Sequence, residues 1–471
     1  MANSKGKELA KNTAIISFGK MCTQLVSFLL MPMYTSILST EEYGVVDLVV
    51  TYGQLLLPLV TMQMEQTLFR FLIDKRSDEE GKRKVVSEVV SLTFFIICIF
   101  SVIYVGLSGL ISSDYKFHLL LNLWACVMSA MALQSARGLG QNMVYALGSF
   151  IAASGQIILT IIFVAVLRMG ASGMIFAIVV SQCICAIFVS AKIKLGRYFR
   201  VKLVSKKDIK EYLGYSAPLV PNAISWWILN ASDRSIILRY LGVGFNGIYS
   251  AANKFSGIYT TIYNIFNLSW TESVSLHLKE NNSFEEFSKL QSTIMRLCIS
   301  ASLGLISVMP FLFKIFVNEK FDKAYYQIPL LTIGAYFSSM VGLVSAYYIA
   351  DKKTAIIART STMCAAINII VNLALIKHIG IYAASVSTVV AYLTLYILRY
   401  RDAKKHYGIK MEDKLMVSGV LMMVFTTVTY YTRNIIICSI SFIVYAIYAL
   451  IINRDFIDTM LKTIKKKVTR K

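Results

Sequence analysis

Three cations and three carboxylates fall inside stretches that are otherwise almost wholly apolar: Lys20, Arg234 and Lys254, with Asp47, Glu65 and Asp233. Ionisable groups are costly at such positions and tend to face a bundle interior or a wet cavity. Two arrangements are open. Arginine suits phosphate through its bidentate fork and lysine as a point charge, so the cations could line a cavity attractive to an anionic head group such as a diphosphate. Alternatively, the carboxylates neutralise the cations and stabilise helix packing. Lys20 and Lys254 have no acidic residue three or four positions away, whereas Asp233 adjoins Arg234. Asp47 and Glu65 are about five helical turns apart, which would set them on one face of a continuous helix. Either could instead hold a coupling proton or Na⁺.

Other chemistries lack their residues. The four histidines, His118, His277, His378 and His406, are dispersed, and no metal cluster suggests itself. All eight cysteines, Cys22, Cys98, Cys126, Cys183, Cys185, Cys298, Cys364 and Cys438, sit in apolar stretches and read as packing residues. There is no G-x-x-x-x-G-K-[ST] phosphate loop. No catalytic residue, metal or cofactor is therefore expected.

The elements that carry the six ionisable residues are membrane spans. With 56% apolar and 16% charged residues over 471 positions, and a mean hydropathy of +0.62, the chain has a bilayer as its main solvent. Its apolar stretches approach the roughly 20 residues that carry an α-helix across hydrocarbon. The alternating ten-residue segments of a β-barrel are missing. The predicted class is an all-α integral membrane protein with about fourteen transmembrane helices: 12–38, 43–69, 85–111, 115–136, 143–167, 171–191, 214–240, 245–269, 293–317, 325–350, 354–377, 379–399, 414–431 and 434–453. Pro32, Pro58, Pro218, Pro221, Pro310 and Pro329 lie in or beside these spans, where each permits a kink.

The net charge of +22 is sorted onto alternate connections. Basic residues gather before Asn12 and in Arg70–Lys84, Lys192–Lys210, Arg399–Lys414 and Arg454–Lys471. The intervening connections carry only scattered ones, such as Lys116, Arg168, Lys320, Lys323, Lys377 and Arg433. Both termini are thus expected in the cytoplasm. A contiguous basic face or nucleic-acid module is missing, so the charge points to membrane lipids and not to nucleic acid. The loop Lys192–Tyr212 and the tail 455–471 mix lysine with apolar residues at helical spacing, as interfacial helices do.

A weak repeat runs through the chain. Leu38-Ser-Thr-Glu-Glu-Tyr-Gly-Val parallels Leu241-Gly-Val-Gly-Phe-Asn-Gly-Ile, and Gly170 has a counterpart in Gly380. This suggests two parallel six-helix halves enclosing a central cavity. Short turns also favour glycine for its φ freedom, which would give the same echo without a repeat. The expected divisions are an N-terminus 1–11, an N-lobe 12–191, a basic linker 192–213, a C-lobe 214–400, an appended helix pair 401–453 and a basic tail 454–471.

Several runs carry a family resemblance: Asn12-Thr-Ala-Ile-Ile-Ser-Phe-Gly-Lys20, Met31-Pro-Met-Tyr-Thr-Ser-Ile-Leu-Ser-Thr-Glu-Glu-Tyr-Gly-Val, Phe69-Arg70-Phe71, Asp233-Arg234-Ser-Ile-Ile-Leu and Gly247-Ile-Tyr-Ser-Ala-Ala-Asn-Lys254. Together they resemble the polysaccharide transporter family, the O-antigen and capsule repeat-unit flippases of the multidrug/oligosaccharidyl-lipid/polysaccharide exporter superfamily. The resemblance implies two lobes around a cavity that opens alternately to each side of a bacterial plasma membrane. It implies as cargo an undecaprenyl-diphosphate-linked oligosaccharide, and as further partners a polysaccharide polymerase and chain-length machinery. Arg234 and Lys254 match signature positions. Lys20 matches by its place in the first span, and Arg70 is a contact at the cavity mouth or a cytoplasmic anchor. Glu65 stands where relatives carry a small residue. The rival readings are a cation-coupled drug or metabolite exporter of the same superfamily and a membrane-embedded polymerase or glycosyltransferase. The short outer connections disfavour an enzyme.

Overall fold

The computed structural model describes residues 28–200, 206–277, 284–351, 353–409 and 412–458. Lys20, most of the first predicted span and the tail beyond Asp458 lie outside these residues. The described chain folds into α-helices α1 (Met31–Ile37), α2 (Thr40–Val60), α3 (Met64–Asp74), α4 (Glu79–Leu107), α5 (Lys116–Gly138), α6 (Asn142–Thr160), α7 (Gly170–Lys192) and α8 (Lys206–Ser216). There follow α9 (Leu219–Leu241), α10 (Val243–His277), α11 (Phe284–Phe316), α12 (Ile328–Ala350), α13 (Thr354–Ile379), α14 (Tyr382–Tyr407), α15 (Asp413–Tyr431) and α16 (Ile435–Ile452). No strand occurs among the described residues.

Eleven helices among the described residues are long and apolar enough to cross a membrane. They coincide with predicted spans two to six and nine to fourteen. The seventh and eighth are helical too, as α9 and α10, but too polar to qualify. Those two helices carry Asp233, Arg234 and Lys254. The protein is a multi-pass membrane protein, and its least buried helices, α4, α6 and α16, present Phe95, Val102, Phe150, Ile440 and Leu450 to the surroundings. In lipid such exposure costs nothing, because acyl chains are as apolar as the side chains.

The prolines start helices more often than they bend them. Pro32 and Pro329 occupy the first turns of α1 and α12, and Pro218 caps α9. Pro58 and Pro310 lie inside α2 and α11. Two residues beyond Val60, Met62 and Gln63 adopt φ of 51° and 58°, and the second predicted span breaks there. Asp47 and Glu65 were expected on one face of a continuous helix; the break removes that common register.

Packing divides the chain into two compact units, one running to Leu238 with Gly242–Gly247 added, the other comprising Arg239–Leu241 and everything from Ile248. In the first, Leu68, Leu72, Val85, Val89, Leu123 and Val127 join α3, α4 and α5 around one core. Small residues, Ala132, Ala136, Ala152, Cys185 and Ala186, let α5, α6 and α7 approach closely. The α8 helix docks onto this unit: its Tyr212 is buried in the first core and donates to Glu88 Oε2 at 2.7 Å, while Lys84 pairs with Asp208 at 2.8 Å. The linker was expected to lie against lipid as an interfacial helix, but this part of it packs on protein. Burial and the neighbouring Glu88 carboxylate push the Tyr212 phenol well above its usual range.

The second unit is organised around α12, whose Tyr336, Met340, Leu343, Val344, Tyr347 and Tyr348 are all buried. The predicted appended pair, α15 and α16, packs on α11. A clasp secures its end. The rings of Tyr325 and Tyr430 stack at 4.1 Å, and each phenol donates to the other residue's carbonyl, at 3.1 and 2.8 Å. Arg433 lies over the Tyr325 and Tyr326 rings at 4.5 Å and pairs with Asp322 at 2.8 Å.

Candidate functional site

The starts of α2 and α10 cross through two glycines of the sequence echo. A Cβ on Gly44 would overlap Val243 O and come within 2.9 Å of Gly247 N; a Cβ on Gly247 would overlap Thr40 O and come within 2.9 Å of Gly44 N. The contact is reciprocal, because Thr40 and Gly44 stand to each other as Val243 and Gly247 do in the aligned runs. Neither glycine has positive φ. This pair is therefore required by close backbone approach, whereas Gly170 and Gly380, with φ of 59° and 58°, serve the turn.

One helical turn along α2 from Gly44, Asp47 Oδ2 accepts from Arg234 Nε of α9 at 2.7 Å. Asn246 Nδ2 of α10 donates to Gly44 O at 3.1 Å and to the same Asp47 oxygen at 3.2 Å. Asn246 is fully buried, and its Oδ1 has no hydrogen-bonding partner. Both charged side chains are 16% exposed. Further along, Tyr52 and Ser235 hydroxyls share a hydrogen bond of 3.1 Å, and Trp227 Nε1 donates to Thr51 O at 2.8 Å. The Tyr52 and Trp227 rings stack at 6.3 Å. Residues 44, 47 and 51 of α2, and 227 and 234 of α9, recur at helical spacing, which puts each set on one face. The result is a polar, aromatic seam in helices that otherwise bury apolar residues.

The sequence-derived residues distribute unevenly. Asp47 and Arg234 come together, and Asp233 is buried on the same turn as Arg234. Lys254 is half-buried on α10, in the second unit. Arg70 is exposed and pairs with Asp74 one turn on, at 2.5 Å. Glu65 is buried apart from the seam. Among the described residues, no three His, Cys, Asp or Glu side chains converge as a metal centre would need.

Sequence reasoning missed Tyr52, Trp227, Ser235 and Asn246. Trp227 lies seven residues, two helical turns, before Arg234, the signal that could have found it. Tyr52 and Ser235 stand one residue past Thr51 and Arg234, and Asn246 lies on a third helix, so only the tertiary contacts bring them in. It also counted Arg399 among the basic residues of a cytoplasmic connection. The structure buries Arg399 on α14, where it donates to Thr360 Oγ1 at 3.0 Å, Ser345 Oγ at 2.6 Å, Ile357 O at 2.9 Å and Ser361 Oγ at 2.7 Å.

Chemically, the seam holds a guanidinium whose present partner, a carboxylate, is one that a stronger anion could replace. Residues 9–271 match the model of a family described as polysaccharide biosynthesis protein. No curated protein sequence matches the chain. Among solved structures, the lipid II flippase MurJ in an inward closed conformation superposes with a TM-score of 0.73 at 17% identity, over 94% of this chain and 100% of that one. An inward-facing multidrug resistance MATE transporter of the MOP superfamily gives 0.64 at 13% identity, over 81% and 95%. A MOP superfamily transporter from Pyrococcus furiosus, described as having a binding pocket of reversed polarity, gives 0.52 at 14% identity, over 84% and 96%. At these identities the likeness is one of fold.

Proposed function

The chain belongs to the polysaccharide biosynthesis protein family and has the fold of MOP superfamily transporters, and from this premise we propose that it is a flippase moving an undecaprenyl-diphosphate-linked oligosaccharide from the inner to the outer leaflet of a bacterial plasma membrane by alternating access. The observation that carries the reading is the Asp47–Arg234 pair, held by Asn246 inside the bundle. A diphosphate bearing sugars cannot cross hydrocarbon without a polar route, while its polyprenyl tail is at home in lipid. Arg234 offers the planar fork that phosphate oxygens match, and Asp47 occupies it between cargoes. Lys254 and Lys20 supply further positive charge to the head group, and Arg70 a contact at the mouth of the route. Tyr52 and Trp227 give the sugars aromatic surface beside it. Both termini lie in the cytoplasm, and the delivered unit passes to a polysaccharide polymerase and chain-length machinery.

The test is delivery of lipid-linked sugar to the outer leaflet of proteoliposomes. Arg234→Ala and Lys254→Ala are each expected to lower the rate at least about ten-fold, the equivalent of one charge-assisted hydrogen bond. Undiminished delivery by both variants at normal protein levels would sink the proposal.

A further inference from the structure

The break between α2 and α3 presents a second site. At Thr61–Gln63 the backbone leaves the helical path, and the amides that would continue the ladder are diverted: Gln63 N donates to Thr61 Oγ1 and Met64 N to Thr61 O. In a continuous helix these two amides would serve the carbonyls of Leu59 and Val60. The break is not at the surface, for Val60, Thr61 and Met64 are all buried. One residue past Met64, Glu65 is 6% exposed, and its Oε2 has no hydrogen-bonding partner. The Thr61 side chain and the amide of Glu65 lie beside the carboxyl.

Among the described residues, no charged group on the elements packed against α3 forms an ion pair with Glu65. Glu88 of α4 is bonded to Tyr212, Arg137 of α5 lies over the Phe69 ring at 4.2 Å, and Asp208 of α8 is paired with Lys84. Arg83 of α4 forms no ion pair among the described residues, and neither do Lys116 and His118 of α5 or Glu211 of α8. A buried carboxylate with an unfilled oxygen is costly unless something neutralises it. Interrupted membrane helices meet that need elsewhere by turning freed carbonyls onto a small cation.

We infer that the Leu59–Glu65 break binds a monovalent cation, H⁺ or Na⁺, with Glu65 as the anionic ligand. A proton needs Glu65 alone. Na⁺ draws also on the Thr61 hydroxyl and the carbonyls of Leu59 and Val60, an all-oxygen set with the single negative charge that suits it. A divalent ion would call for more carboxylates than the break supplies. The site lies apart from the Asp47–Arg234 seam, and its cation binding holds whatever the cargo is.

Thermal unfolding of the purified full chain decides it. Wild type and Glu65→Gln are compared while NaCl replaces choline chloride at pH 8, and again in choline chloride alone as the pH falls from 8 to 5.5. Ligand that binds the folded state raises the unfolding temperature in proportion to the logarithm of its concentration. A rise with Na⁺ that Glu65→Gln loses assigns Na⁺. Thr61→Val is then expected to shift the Na⁺ midpoint upward about ten-fold, by loss of one ligand oxygen. A rise on acidification that only wild type shows, with no response to Na⁺, assigns the proton, and Thr61→Val then behaves as wild type. The neutral variant already lacks the buried charge, so in choline at pH 8 it should unfold at or above the wild-type temperature, which also reports that it is folded. The inference is overturned if wild type responds to neither cation or if Glu65→Gln responds as wild type does. Equilibrium binding of ²²Na⁺ and proton uptake by the wild-type chain give the same decision without a variant.

Discussion

Gly44 and Gly247 each occupy the space that a side chain on the other's helix would need, and each lies against the carbonyl that opens the partner helix. Two positions picked out by a sequence echo are thus the two that touch. A crossing this close leaves no room for a methyl group. Alanine at either position forces the helix starts apart, at a cost of about 1–3 kcal/mol of overpacking. Thermal unfolding of Gly44→Ala and Gly247→Ala should show similar losses, because the contact is reciprocal. The double variant should lose less than their sum, since the first substitution has already separated the helices.

Asp47 and Arg234 make the second prediction. Removing one partner of a fully buried pair costs about 3–5 kcal/mol, and less is expected here because each side chain keeps some exposure. Asp47→Asn and Arg234→Gln should each destabilise, with a coupling of roughly 1–3 kcal/mol in the double-variant cycle. The functional signs differ. If a diphosphate takes the place of Asp47, then Asp47→Asn should bind a soluble polyprenyl diphosphate more tightly than wild type, and Arg234→Gln more weakly. Equal weakening by both would show that the pair only holds the helices together.

Arg399 should tolerate no replacement. Its guanidinium spans acceptors on α12 and α13 in four directions, a pattern that the compact lysine head cannot reproduce. Arg399→Lys is expected to lose on the order of 2–3 kcal/mol, and Arg399→Ala more, because three hydroxyls and a carbonyl each lose a charged donor. Detergent-solubilised thermal melts would register both, and a wild-type melt for Arg399→Lys would refute the role given to the fork.

The docking of α8 includes one buried phenol, that of Tyr212, beside the Lys84–Asp208 pair. Tyr212→Phe keeps the apolar contacts and removes the donor to Glu88, which should cost about 1.5–3 kcal/mol, as for a hydrogen bond to a charged group. Limited proteolysis should then cut more readily near Lys206–Lys210. Adding Glu88→Gln should restore much of the protection, because a neutral amide left without that donor costs less than a carboxylate. Cleavage unchanged from wild type in Tyr212→Phe would show that packing alone holds α8.

The eleven qualifying helices were legible because a membrane span is a statement about composition over some twenty residues, which needs no tertiary knowledge. The polar α9 and α10 were legible as well, since even their ionisable residues sit in apolar runs. The break at Met62 and Gln63 was not. Neither residue type favours a left-handed conformation, and the nearest proline, Pro58, lies inside α2. The pairing of Asp47 with Arg234, 187 residues apart, was open as one of two alternatives, because sequence gives depth in the membrane and not azimuth. Arg399 was hidden by its neighbours: Arg401, Lys404 and Lys405 mark the end of a span, yet α14 runs on to Tyr407 and keeps Arg399 within the bundle.

The Tyr325–Tyr430 clasp bears on how the protein is made. The second unit's helix core precedes α15 in the chain, but one half of each hydrogen bond in the clasp belongs to Tyr430 of α15. During synthesis the edge of that unit must wait, with the Tyr325 ring uncovered and its phenol lacking the Tyr430 carbonyl, until α15 and α16 have entered the bilayer. A ribosome that stalls before Tyr430 would leave a nearly complete bundle with an open polar edge in lipid, the kind of defect that membrane quality control recognises. Docking of α15 and α16 is in this sense a late step of the unit's assembly, and a nascent chain lacking them should be degraded before it ever carries a load.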